Sequence, residues 1–160
     1  SHSSSDEGYL YISGGDVLVW HHSSSGMGQL VTTQKFRDVS AWYHLVWSVD
    51  TTQGTASNRM KFYINGTQIT AFGTETYPDQ NKELYWNVGG SYYPWIGRRH
   101  GGDYWDGYLA EIVHIDNAQL DPTSFGEFDS NSPNVWKPID VSGLTFGTAG
   151  YYLDLSLIHI

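Results

Sequence analysis

The sequence predicts an all-β domain, an antiparallel two-sheet β-sandwich, and three observations lead there. Apolar and polar residues alternate with period two in short runs, as strands with one buried face require. Gly, Asn-Gly and Ser-rich turn signals separate those runs, with 18 Gly in 160 residues. No strand-helix alternation occurs, which leaves roughly seven to nine antiparallel strands in a sandwich instead of an open α/β sheet.

Taken in order, residues 9–13, 16–22 and 29–34 are rich in Val, Leu, Tyr and Trp. The Gly14-Gly15 and Ser23-Ser24-Ser25-Gly26 breaks between them predict a meander. Residues 43–50 place Tyr43, Leu45, Trp47 and Val49 on one face and His44, Ser48 and Asp50 on the other, a half-buried strand. In residues 59–64, Met60, Phe62 and Ile64 alternate with Arg59, Lys61 and Tyr63. That run ends at Asn65-Gly66, which suits a type I′ hairpin because both central residues need positive φ, so residues 67–72 should return antiparallel. Residues 108–116 read as a long strand and 150–154 as a short final one, whereas 51–58 and 73–87 have little pattern and read as exposed loops. The helical signal is confined to residues 121–126, where Asp121 can cap, Pro122 suits the first position and Gly126 stops the turn.

The length fits one domain, expected over residues 6–154. Residues 1–5 read as a tag or disordered tail. Residues 155–160, Leu-Ser-Leu-Ile-His-Ile, read as a non-native tail resembling a translated shotgun-library adapter, which implies a metagenomic source. Seventeen acidic residues against eight basic ones give a net charge of −9, and no Lys/Arg cluster gathers the field a phosphate backbone needs, so nucleic acid is not an expected partner. No apolar run reaches the roughly 18 residues of a spanning helix, so no membrane insertion is expected. The absence of Cys excludes a disulfide framework, a thiolate zinc site and a catalytic thiol.

Several phrases together resemble the concanavalin A-like lectin/glucanase superfamily, and within it the laminin-G-like jelly rolls of marine phage structural and tail proteins. They are Phe36-Arg37-Asp38-Val39-Ser40-Ala41-Trp42-Tyr43-His44, the run from Asn58 to Gly66, Trp95-Ile96-Gly97, Asp106-Gly107-Tyr108-Leu109-Ala110-Glu111, and the run from Asp121 to Asp129. The resemblance spans residues 29–154 and implies a jelly-roll fold. Related domains carry a further strand with an aromatic-rich phrase ahead of the equivalent of Tyr9, whereas this sequence opens with a polar tail; a sheet edge left unpaired by that departure would invite self-association. The superfamily holds lectins, polysaccharide hydrolases and lyases, and structural modules, so the residues must choose among them.

An enzyme is not expected. Retaining glycosidases need two carboxylates about 5 Å apart, whereas Glu111 and Asp116 stand at an odd spacing that sends them to opposite strand faces, and a structural role suits Glu111 better. The Arg, Gln-x-His and Tyr phrases of jelly-roll lyases are missing. His21 and His22 are adjacent, so they point apart and read as exposed imidazoles at a strand edge, not as a metal pair.

The segment from Ser91 to Asp106 combines rings, charges of both signs and flexible Gly. Sugars bind through C–H faces laid on rings and through planar hydrogen-bond pairs. Tyr92, Tyr93, Arg98, Arg99, His100, Asp103, Tyr104 and Trp105 are therefore the candidate glycan ligands, while Trp95 is expected in the core. The competing expectation is that Trp95 and Trp105 are inward-facing core residues and that Arg98, Arg99, Asp103 and Asp106 form surface ion pairs worth little. No cofactor is required on this reading; a calcium ion, common at the rim of related domains, would fall to Asp103 and Asp106. The expected function is a non-enzymatic carbohydrate-binding or adhesion module of a virion protein, virion-borne or extracellular. Its expected partners are glycans or host cell-surface polysaccharide and the parent virion protein. The alternatives are a ligand-free architectural module and, third, a glycoside hydrolase.

Overall fold

The computed structural model of the chain describes residues 8–84, 95–98 and 102–155. In chain order its strands are β1 (Gly8–Ile12), β2 (Val17–His22), β3 (Gln29–Lys35), β4 (Leu45–Val49), β5 (Met60–Ile64), β6 (Thr67–Ile69), β7 (Phe72–Thr76), β8 (Ile112–His114), β9 (Gly126–Asp129), β10 (Ser132–Pro138) and β11 (Tyr151–Leu153). One helical turn, α1 (Ala56–Arg59), precedes β5, and a 3₁₀ turn occupies Pro122–Ser124. The fold is mostly β, as expected, with every strand pair antiparallel. Contacts group the chain into two compact units, one of residues 1–84 and 119–141, the other of residues 85–118 and 142–160.

The first unit is a sandwich. A four-stranded sheet in the order β1-β2-β3-β7 opposes a three-stranded sheet, β4-β5-β6. Leu18, Trp20, Leu30 and Thr32 of the first sheet and Met60, Phe62, Ile64 and Ile69 of the second are buried. Ring contacts join the two: Trp20 to Trp47 at 4.6 Å and Phe62 to Phe72 at 6.5 Å between centroids.

The expected meander forms, and so does the hairpin, with φ of 48° at Asn65 and 76° at Gly66. The Asn65 side-chain oxygen also accepts from the His44 backbone N–H at 2.8 Å, tying the turn to the entry of β4. The return strand differs from expectation. β6 stops at Ile69, and the chain crosses to the other sheet as β7, which starts at the last residue of the expected return strand and runs on into the stretch expected as a loop. Residues 51–58 are likewise organised: Asp50 accepts from the Thr52 N–H and the Gln53 amide, and the Arg59 guanidinium donates to the carbonyls of Gln53, Gly54 and Pro78.

β4 is buried on the face where the sequence placed its polar residues. Val46 and Ser48 are covered there, whereas on the face expected in the core Tyr43 and Leu45 are exposed and Trp47 is half-buried against the first sheet. The cover is the segment from Gln119 to Val141, which contains the β9–β10 hairpin that the sequence did not suggest. Ser48 Oγ donates to the Leu120 carbonyl at 3.1 Å, and the Trp136 ring lies 5.8 Å from His44. Gly66 and Gly126 make room for that indole, since a Cβ at either would collide with it. Ahead of β9 the Asp121 cap forms as expected, accepting from the Thr123 N–H at 2.9 Å.

β2 is also interior to its sheet, not at an edge. His22 is buried with Nδ1 accepting from the Ser24 N–H, so neither it nor half-buried His21 is the exposed imidazole expected. Beside it the ladder slips between Val17 and Val19, and Thr32 fills the break. Its hydroxyl accepts from the Leu18 N–H and donates to the Gln34 carbonyl, both at 3.0 Å.

Two outcomes follow from this packing. Thr32→Val strands the buried Leu18 N–H and should destabilise the fold by about 1–3 kcal/mol, read as a lowered urea midpoint. Burial lowers the pKa of His44 from 6.5, so the unfolded chain binds more protons at mildly acidic pH. Stability is therefore whole above pH 6.5 and should fall as pH drops through the window below it, with a shallower slope in His44→Gln.

Candidate functional site

The expected glycan-binding segment falls in the second unit, where Tyr92, Tyr93, Arg99 and His100 lie outside the described residues. The described residues on its two sides, 95–98 and 102–106, are joined as follows. Gly97 and Gly102 adopt φ of 75° and 109°, backbone that glycine enters without steric cost. The Trp105 N–H donates to the Gly97 carbonyl at 2.8 Å, and Arg98 pairs with Tyr104 in an isolated antiparallel bridge. Residues directly opposite in such a pair project from the same face, so Arg98 and Tyr104 stand side by side. The Arg98 guanidinium lies 4.1 Å from the Trp95 ring centroid, a cation–π contact that adds the indole to the group.

The rings are open to solvent. Tyr104 is 72% exposed, Trp105 45% and Trp95 41%, which corrects the expectation that Trp95 is a core residue. Trp105 rests its indole edge on Gly107, where a Cβ would approach Nε1 too closely. Tyr108 is 88% exposed because the long strand expected from it is reduced to β8. Glu111, with φ of 48°, ends the irregular stretch before the ladder begins.

β8 pairs with β11, the short final strand the sequence suggested, and His114 packs on Tyr151 at 5.3 Å. Burial holds His114 below its ordinary pKa, with nearby Asp116 opposing the shift. Asp116 accepts from the Ala149 N–H and the Asn117 amide, while Glu111 is exposed and outside the strand. Among the described residues, no three acidic or imidazole side chains converge as a metal site. Asp103 and Asp106 would bring two carboxylates to a calcium ion that takes about six to eight oxygens, the rest falling to carbonyls and water. In the first unit, a groove of about 390 Å³ runs past Thr33, Gln34, Asn65, Gln68 and Thr70, and its described lining has neither a ring nor a carboxylate.

A laminin-G-type family model, described as concanavalin A-like lectin/glucanases superfamily, matches residues 1–122. The chain belongs to that superfamily. The match takes in β1 to β8 and ends at the 3₁₀ turn, so the cover built from β9 and β10, and β11 as well, follows it. It also reaches residues 1–28, ahead of the stretch on which the sequence resemblance rests. No curated protein and no solved structure matches the chain.

A lectin/glucanase fold is the setting for the ring-bearing hairpin, and its exposure has a direct consequence. Tyr104→Ala should change folding stability by no more than about 0.5 kcal/mol, because it removes a side chain that packs little. A loss of several times that in urea unfolding would place the ring in the core.

Proposed function

We propose that this chain is a non-enzymatic carbohydrate-binding or adhesion module of a phage structural or tail protein, virion-borne or extracellular, with glycans or host cell-surface polysaccharide as its ligand. The observation that carries the binding role is the exposed group of Trp95, Arg98 and Tyr104. A pyranose offers an apolar C–H face and a rim of hydroxyls. The group offers a ring for the first and a guanidinium fork for the second. The phage context rests on the phrases of the sequence alone. Against hydrolysis stands the separation of roles at the acids considered for it: Glu111 lies off the strand, and Asp116 is occupied by the turn around Ala149.

One observation favours the architectural alternative. Between β3 and β4, Val39 and Trp42 are exposed, and an apolar loop of this kind suits protein–protein contact.

A glycan array with the purified chain, run with calcium and again with chelator, tests the binding reading. Binding to a defined set of sugars, reduced about tenfold in Tyr104→Ala, is the expected outcome. Loss in chelator would add calcium at Asp103 and Asp106. A blank array from folded protein in both conditions would move the function to the architectural module.

A further inference from the structure

We propose that Asn65 is a modification site of this chain: it converts to aspartate or isoaspartate when residues 119–141 lift from the second sheet, and the fold holds the reaction back while they stay closed. The chain contains one Asn-Gly dipeptide, Asn65-Gly66. Glycine has no Cβ to hinder its own nitrogen, so this pair suits cyclisation. The Gly66 backbone nitrogen, having given its proton to solvent base, attacks Cγ of Asn65; the side-chain nitrogen takes up a proton, its bond to Cγ breaks, and it leaves as ammonia. Water then opens the resulting five-membered imide at one carbonyl or the other. One opening gives aspartate, the other isoaspartate, whose main chain runs through the side-chain carbons.

Two features restrain that attack. First, Asn65 is tied to His44 twice: its N–H donates to the His44 carbonyl at 2.9 Å, and its Oδ1 accepts from the His44 N–H at 2.8 Å. Ring closure rotates the side-chain amide and so gives up the second bond. Second, Trp136 of β10 lies directly on Gly66, against the position a Cβ would take. Ring closure also swings the peptide between Asn65 and Gly66 out of its type I′ geometry, and the indole lies over that peptide. Trp136 is itself seated on Gly126 and braced by the edge of Phe128 at 5.0 Å. Because the indole belongs to the cover, lifting residues 119–141 removes this restraint, and the slow chemistry then tracks the fraction of open chain. The product is damaging. Isoaspartate adds a carbon to the backbone of a two-residue turn that sets the register of β5 and β6, and β5 supplies Met60, Phe62 and Ile64 to the core. A reversible opening of the cover is thereby turned into an irreversible change.

The test holds the whole purified chain at mildly alkaline pH for days, folded in one sample and unfolded in urea in another, and follows the mass gain and the isoaspartate at residue 65 by peptide mapping. Conversion in the folded chain is expected to run at least about tenfold slower than in urea. Trp136→Ala should raise the folded rate at least about threefold, with circular dichroism confirming that the sheets are kept. Where Trp136→Ala does not fold, Phe128→Ala takes its place, since it removes an exposed ring that braces the indole. An unchanged rate in that folded variant would overturn the gating by the cover. Conversion as fast in the folded chain as in urea would overturn the protection, and no conversion in urea would overturn the site itself.

Discussion

Trp20 sits where the two sheets of the first unit meet, 1% exposed and 4.6 Å from the Trp47 ring, and its indole N–H is the constraint from which much else descends. A buried N–H needs an acceptor, and the one available is the Met27 carbonyl at 3.3 Å. Reaching it turns the β2–β3 loop inward and buries Met27 completely. The loop achieves this by placing glycines on both sides of Met27, with φ of 76° at Gly26 and 77° at Gly28. Gly28 then lies so close to the backbone of residues 76–78 that no Cβ would fit, and the Gly26 carbonyl accepts from the Asp79 N–H. Pro78, buried at that junction, passes its carbonyl to Arg59, which orders the turn leading into β5. One indole hydrogen bond therefore couples the first sheet, the loop and the second sheet.

The second sheet uses its other face differently. Residues 119–141 close over Val46, Ser48 and His44, so the outer surface of β4 is occupied by the chain itself. Burial there raises the Tyr63 phenol, with Asp121 adding to the effect, and lowers His44; both groups are thereby favoured in their neutral forms. The hairpin around Arg98 and Tyr104 is built on the opposite plan. Among its described residues, the Arg98–Tyr104 bridge and the backbone bond at Gly97 join its two sides, and the rings stay outside. There Arg98 lies over Trp95, a local contact within the segment.

What a local pattern can specify was legible in the sequence. The strands of the β1–β2–β3 meander, the alternation in β5, the positive-φ Asn65-Gly66 turn and the Asp121 cap rest on side-chain period and turn chemistry. Each needs only a few neighbouring residues to be determined. Tertiary structure decided what lay beyond that range. Phe72–Thr76 has weak strand chemistry and becomes β7 because β3 offers it a free edge. Period two showed that β4 has two faces, yet only the return of residues 119–141 buried the one with Val46 and Ser48, while Leu45 on the other is exposed. Trp95 is exposed on the hairpin, even though its residue type favours burial. Alternation and turn residues are written within a strand or a loop, whereas burial depends on a partner that the chain supplies from far away.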